Sequence, residues 1–134
     1  MRKIGEGGQA GIILVVALIV ILAIAGLAID GGAAVTAKIG LESDADAAAR
    51  AGAGAVDQTP LRSTGEKVLD PVAAGDAARA YIATACPDCT ISVVAGPAGV
   101  TVTLHRPHPT FFLQAVGIRT VTVAATSTSV LVTP

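Results

Sequence analysis

The hydrophobic pattern of the chain begins with a long uncharged segment. Ala10 to Ile29, "AGIILVVALIVILAIAGLAI", contains no charged residue. A helix rises about 1.5 Å per residue, so about 20 residues cross the ~30 Å hydrocarbon core of a bilayer. A helix of this length in a small domain would normally show a polar face, and this one shows none. We therefore predict a transmembrane helix over residues 10–29.

Charges at the two ends of this span predict its orientation. Arg2 and Lys3 precede it together with Glu6, and Asp30 is the first charge after it. Positive charge stays preferentially on the cytoplasmic side of a membrane. We expect a cytoplasmic segment 1–9 and an extracytoplasmic remainder, as in a single-pass protein of a bacterial cell membrane.

A cleaved export signal is the alternative. Ala23 to Ala25 fits the small-x-small rule, with cleavage before Gly26. The apolar run continues past that point to Ile29, whereas the apolar regions of signal peptides run for about 7–15 residues. A soluble core helix is a third possibility. The first two both place the remainder outside the cytoplasm.

An Ala-rich segment, residues 30–56, is expected to continue as a helix. Lys38–Glu42 and Asp46–Arg50 sit at i,i+4 and support its exposed face. Mostly small residues recur at helical spacing on another face: Ala34, Leu41, Ala45, Ala48, Gly52 and Ala55. This stripe either packs on the chain's own domain or forms a seam with another molecule.

A polar loop over residues 57–70 separates this helix from a small domain at 71–134. Asp70 and Pro71 suit the start of a helix that runs to about Ala85. Its expected buried side is Val72, Ala73, Ala77, Ala80 and Tyr81.

Alternation at period two then predicts strands in "TISVVA" and "VTVTLH", joined by a turn at "GPAG". The apolar face comprises Ile91, Val93, Val100, Val102 and Leu104. "RPHP" should break the second strand, because proline cannot donate to a ladder.

The segment "TFFLQAVG" predicts a short helix capped by Thr110 and ended by Gly117, with Phe111 or Phe112 in the core. "RTVTVAATSTSVLV" predicts a final strand. The expected fold is α+β, in which a transmembrane helix continues into a long pilin-like helix. That helix packs with a second helix and an antiparallel sheet of about three strands.

Charge and composition argue against one class of function and indicate what the core is made of. The net charge is −1 and the nine basic residues are scattered, which argues against nucleic-acid binding. Aromatic residues make up 2% of the chain, so the core must rely on Ala, Val, Leu and Ile.

"CPDC" is the most reactive motif. Outside the cytoplasm, Cys86 and Cys89 can form a small disulfide between the second helix and the first strand. A free thiol pair and a redox centre are alternatives, although a redox cysteine favours a helix N-terminus. A zinc site with His105 and His108 is another alternative, since C-x2-C followed by H-x2-H is close to zinc-finger spacing.

No other motif predicts catalysis or a cofactor. Asp30, Glu42, Asp44 and Asp46 lack a His or Ser partner at helical spacing and are expected on a solvated helix face. No phosphate loop or nucleotide fingerprint is visible. We predict a protein that is not an enzyme and needs no cofactor.

Three stretches carry a family resemblance. "GLAID" ends the span, "LESDADAAARAGA" follows at Leu41 to Ala53, and the tail holds Val116–Ile118 and Val121–Thr126. Together they resemble the TadG-like proteins of the TadE/G-like group in tight-adherence (Tad, or Flp) pilus assembly. The matching motif positions are Gly26, Leu27, Asp30, Leu41, Asp46, Ala47, Ala48, Ala49 and Gly52.

The resemblance implies a single-pass membrane protein without catalytic chemistry that serves the biogenesis or secretion of thin pili. Its partners would be the membrane, other pilus-assembly or pilin-like membrane proteins, and a second copy of itself. We expect a short form, because 134 residues leave no room for the von Willebrand A-type domain of longer members. The span also lacks the proline common in the family.

Pilin-like relatives are cleaved after a Gly, with a Glu five residues beyond the cut. Gly5, Gly7 and Gly8 lack a Glu at that offset, so an accessory role fits better than a major pilin. A filament subunit and a secreted, signal-cleaved binding module remain the alternatives.

Overall fold

The computed structural model describes residues 6–131. Its first element, α1 (Glu6–Ala53), is one continuous helix of 48 residues, which makes it about 70 Å long. The described part of the chain holds one helix that is long and apolar enough to cross a membrane. Arg2 and Lys3, which underlie the predicted orientation, lie outside the described residues, as does Val132 at the end of the predicted last strand.

The two halves of α1 have different surroundings. Large apolar side chains from Ile12 to Ile29 are all at least 50% exposed, so this half projects from the rest of the molecule. From Leu41 onward, one face of α1 is buried against the domain that follows. The long helix predicted from the sequence is confirmed.

The predicted loop 57–70 contains a short helix, α2 (Gln58–Ser63). Asp57 starts it by accepting the backbone N–H of Thr59 at 2.8 Å. A bridge between Val56 and Leu69 closes the segment at its base. The loop prediction missed α2 because Pro60 and the polar residues around it also suit an irregular turn.

Helix α3 (Pro71–Ala85) begins as predicted, with Asp70 accepting the backbone N–H groups of Val72 and Ala73. Its predicted buried side is wrong, since Val72 is 72% exposed and Tyr81 is 39% exposed. The buried residues are Ala74, Gly75, Ala78 and Ile82. The reason is close packing: a Cβ added at Gly52 of α1 would lie 2.8 Å from the Ala74 carbonyl oxygen. Small residues therefore lie at the close approach to α1, and Val72 and Tyr81 turn outward, whereas Ile82 is buried near the end of α3.

Three antiparallel strands form a sheet in the order β1 (Thr90–Gly96), β2 (Gly99–Pro109) and β3 (Thr120–Val130). Gly96 pairs with Gly99 across the predicted turn. The predicted apolar face is confirmed: Val100, Val102 and Leu104 are fully buried, and Ile91 and Val93 lie beside them in register.

The "RPHP" segment does not break β2, which runs through it to Pro109. Strand β1 reaches only as far as His105, so beyond that point β2 has a neighbour on one side only. The backbone N–H of Thr110 points toward β3 and donates to the carbonyl oxygen of Arg119. By the alternation of a strand, the nitrogens of Pro107 and Pro109 face the open edge, where no donor is needed.

The core lies between the sheet and the two helices α1 and α3. It consists of aliphatic residues and one half-cystine, in agreement with the composition: Leu41, Ala45, Ala48, Ala49, Leu69, Ala74, Ala78, Ile82, Cys86, Val100, Val102, Leu104, Val123 and Ala125. The expectation that a phenylalanine fills this core is wrong, because Phe111 is 76% exposed and Phe112 is 47% exposed.

Candidate functional site

The most distinctive constellation lies where the apolar half of α1 meets the segment between β2 and β3, residues 110–119, here called the β2–β3 loop. The Asp30 side chain is 6% exposed. Its Oδ1 accepts the backbone N–H of Phe111 at 2.8 Å, and its Oδ2 accepts those of Phe112 and Leu113 at 2.9 and 2.7 Å. One carboxylate at the end of the predicted span thus binds three successive amides. The expectation that Asp30 lies on a solvated helix face is wrong.

These bonds replace the helix cap predicted at Thr110. The short helix is a single 3-10 turn, Leu113–Val116, and no side chain adjacent to it caps its start. Thr110 instead donates its hydroxyl to the Ile118 carbonyl, which closes the base of the loop. Gly117 ends the turn as predicted, with a left-handed φ of 92°. Asp30 supplies the cap, because its carboxylate lies beside these amides and the Thr110 hydroxyl is engaged with Ile118.

The charge of Asp30 suits this task. Burial raises the pKa of the Asp30 carboxyl, and the three donated N–H groups, with the nearby His108, lower the pKa by more. The net pKa is lowered, so the group is ionised at neutral pH. An ionised acceptor makes stronger hydrogen bonds than a neutral one.

A second contact holds the loop to α1. A Cβ added at Gly26 would lie 2.7–2.9 Å from three side-chain atoms of Phe112, so the ring rests directly on the helix backbone. A shallow apolar groove flanks this contact. Leu22, Ala23 and Leu27 line its α1 side, and Leu113, Ala115 and Val116 line its loop side.

The predicted stripe packs on the chain's own domain. Leu41, Ala45 and Ala48 are at most 2% exposed, and Gly52 lies against Ala74 and Val100. Ala55 and Ala34 are partly buried. Of the two alternatives left open by the sequence, the structure shows the intramolecular one for this chain.

Neighbouring charges divide into two groups. The Lys38–Glu42 pair is 3.7 Å apart and exposed, as expected of a solvated face. Asp46 pairs with Arg50 and also accepts a hydrogen bond from Ser127 at 3.2 Å, so it links α1 to β3.

Cys86 and Cys89 form a disulfide with their Cα atoms 5.4 Å apart. It joins the end of α3 to the start of β1, the arrangement that the sequence predicted. In this state the sulfurs are not thiolates and do not form the zinc site considered with His105 and His108. Within residues 6–131, no three His, Cys, Asp or Glu side chains are grouped to hold a metal ion.

The family-motif positions have distinct structural roles. Gly26 and Asp30 hold the β2–β3 loop, whereas Leu27 is exposed. Leu41, Ala48, Ala49 and Gly52 lie in the core, Ala47 is half-buried, and Asp46 contacts β3. Sequence reasoning missed Phe112 and Leu113 as partners of Gly26 and Asp30. The available signal was an uncharged Phe-Phe-Leu segment in a chain with few aromatics.

Comparison with known proteins gives a family match, and it lies on helix α1. Residues 8–55 match the family model described as "Putative Flp pilus-assembly TadE/G-like". The match confirms the family resemblance over almost all of α1, and the resemblance in the tail lies outside the matched residues. No curated protein and no solved structure matches the chain. The description of that family names pilus assembly.

Proposed function

We propose that the protein is a single-pass membrane component that assists assembly of a Tad/Flp-type pilus or the associated secretion apparatus. Residues 1–9 are cytoplasmic, residues 10–29 span the membrane, and residues 30–134 lie outside. The protein acts by association with other proteins and not by catalysis. The family match carries this proposal. It covers almost all of α1, including the half whose large apolar side chains are exposed.

Contacts of the β2–β3 loop favour retention of the span over its removal as an export signal. Leu22 and Ala23 line the α1 side of the apolar groove beside the loop. Both residues precede the candidate cleavage site before Gly26. Cleavage there would remove these two residues from the folded molecule. A retained span keeps these contacts and stays joined to the domain through one continuous helix.

The exposed part of α1 offers a surface for partners. The stripe is occupied by the protein's own core, but Val35 and Ile39 are 60% and 62% exposed just beyond the span. They sit at i,i+4 and so share one side of α1. Association of the matched helix would therefore involve the membrane segment and this neighbouring face.

Gene deletion and site-specific photocrosslinking in the native host test the proposal together. Deletion should abolish pili, and the wild-type gene should restore them. A photocrosslinking residue at Val35 or Ile39 should form adducts with pilus-assembly proteins. The matched control is Glu66, which is exposed on the distal segment between α2 and α3.

Three results would contradict the proposal. Normal piliation in the deletion strain would remove the assembly role. Recovery of the chain along sheared filaments would make it a filament subunit. Recovery in the soluble extracellular fraction would favour the secreted binding module.

A further inference from the structure

We infer that the β2–β3 loop is a second membrane contact: its apolar tip inserts into the outer leaflet of the bilayer that α1 crosses. The inference rests on the proposed membrane span. It adds an interfacial lipid-binding element formed by Phe111, Phe112 and Val116, held in position by Asp30 and Gly26.

Exposure of the tip is the first observation. Phe111 is 76% exposed and Val116 is 75% exposed, and Phe112 and Ile118 are each 47% exposed. Both phenylalanines of the chain are thus outside the core, on one short loop. Apolar clusters exposed in this way mark surfaces that contact a membrane or another protein.

Depth along α1 identifies the membrane as the occupant. Phe112 rests on Gly26, which is three positions before Ile29 at the end of the uncharged stretch. Three positions correspond to about 4.5 Å along a helix axis. Interfacial apolar segments bury themselves by about 5–10 Å at the headgroup and acyl boundary, which is the same level.

The polar groups of the loop are suited to a site with little water. Asp30 accepts the amides of residues 111–113, and the amides of Gly117 and Ile118 donate to carbonyls within the loop. The Gln114 side chain donates to the Phe111 carbonyl. Backbone groups near the hydrocarbon must be satisfied internally, because water cannot replace a missing partner there.

Charge at the edges of the loop complements a bilayer surface. Residues 110–118 carry no charge, whereas Arg106 and Arg119 lie on either side of them. Both arginines are exposed. Basic residues beside an apolar insertion are attracted to anionic lipid headgroups.

Depth-dependent fluorescence quenching of the full chain tests the inference. Val116 is replaced by cysteine, which is labelled with an environment-sensitive dye in the absence of reductant. The labelled protein is then reconstituted in vesicles of phosphatidylethanolamine and phosphatidylglycerol. Omitting the reductant keeps the Cys86–Cys89 disulfide closed. Matched variants are Leu18→Cys within the span and Glu66→Cys on the distal segment.

We expect the emission maximum of the probe at position 116 to shift to shorter wavelength. Lipids that carry a nitroxide near the headgroup should quench this emission. The Glu66 probe should instead be quenched by aqueous iodide. Iodide quenching at position 116 with lipid quenching at position 18 would overturn the loop insertion and leave the span intact.

Two further outcomes also overturn the inference. If the Leu18 probe escapes quenching by lipids that carry the nitroxide deep in the acyl chain, the proposed span fails and the loop insertion fails with it. If the Val116 probe is shielded from both quenchers and becomes accessible on dilution of protein in the vesicles, a second protein copy covers the loop.

Discussion

The Asp30 carboxylate and the backbone amide of Leu113 are joined by a 2.7 Å hydrogen bond across 83 positions of sequence. Asp30 ends the uncharged stretch of α1, and Leu113 begins the turn in the β2–β3 loop. The bond therefore joins the β2–β3 loop to α1 at the end of its uncharged stretch. It couples the position of the β2–β3 loop to the position of the apolar half of α1.

Asp30→Asn should loosen the β2–β3 loop without unfolding the core. The neutral amide offers one acceptor oxygen where the carboxylate offers two, and it loses the charge that strengthens the bonds. Hydrogen exchange in the detergent-solubilised full chain should accelerate at Phe111, Phe112 and Leu113. Glu42→Gln, on the exposed face, is the control. Unchanged exchange at the three amides would show that Asp30 does not hold the loop.

The loop should also be sensitive to acid. Because the folded pKa of Asp30 is lowered, its contribution is complete above the unfolded pKa of about 3.9 and is lost as pH falls through the folded value. Loop protection should fall below about pH 4 in the wild-type protein, and it should be low at every pH in Asp30→Asn. Loss of protection on raising the pH instead would contradict the sign of this linkage.

Gly26→Leu should displace Phe112 from α1, because even a Cβ at this position lies 2.7 Å from the ring. Gly11→Leu is the matched control, since an added Cβ there meets nothing within 4 Å. Both substitutions keep the span apolar, so membrane insertion should survive in each. Faster exchange in the β2–β3 loop is expected for Gly26→Leu alone. Equal exchange rates in the two variants would argue against the Gly26–Phe112 contact.

Gly52→Ala should destabilise the domain even though alanine favours helix. The added methyl would lie 2.8 Å from the Ala74 carbonyl oxygen, and overpacking of this kind costs about 1–3 kcal/mol. Gly40→Ala, with open space around its Cβ, should instead be neutral or stabilising by up to about 1 kcal/mol. Thermal unfolding of the two variants provides the measurement. A higher melting temperature for Gly52→Ala would show that α1 and α3 are not closely packed there.

Large residues at Ala45 or Ala48 should unfold the domain, and not merely disrupt complexes with partners. Both side chains are fully buried against the chain's own sheet and α3. Circular dichroism and protease resistance of Ala48→Leu check this, with Val35→Leu on the exposed face as control. A folded Ala48→Leu protein that fails only in crosslinking would restore the intermolecular seam.

Replacing both cysteines by alanine should lower the free energy of unfolding by about 2 kcal/mol, because the disulfide closes a short loop. Chemical reduction of the wild-type protein should produce a similar loss. Denaturant titration gives both values. An unchanged free energy of unfolding in both cases would show that the disulfide is not structural.

Local signals in the sequence predicted much of this fold. The uncharged stretch predicted the projecting half of α1, Asp70 and Pro71 predicted the start of α3, and "GPAG" predicted the hairpin. Each of these features depends on neighbouring residues, so the sequence carries the information directly.

The unpredicted features depend on long-range packing. The Asp30 cap joins residues more than 80 positions apart, and the continuity of β2 through Pro107 depends on where β1 stops. The buried side of α3 is set by its close approach to Gly52 and not by side-chain size. The exposed phenylalanines ran against the usual burial of aromatic residues.

The intact mass and N-terminal residue of the protein, taken from membrane and soluble fractions of the native host, test the central claim most directly. The account predicts a membrane-bound chain that begins at Met1 or Arg2 and keeps the full span. A soluble chain that begins at Gly26 would contradict it, because the membrane half of α1 would then be a discarded export signal.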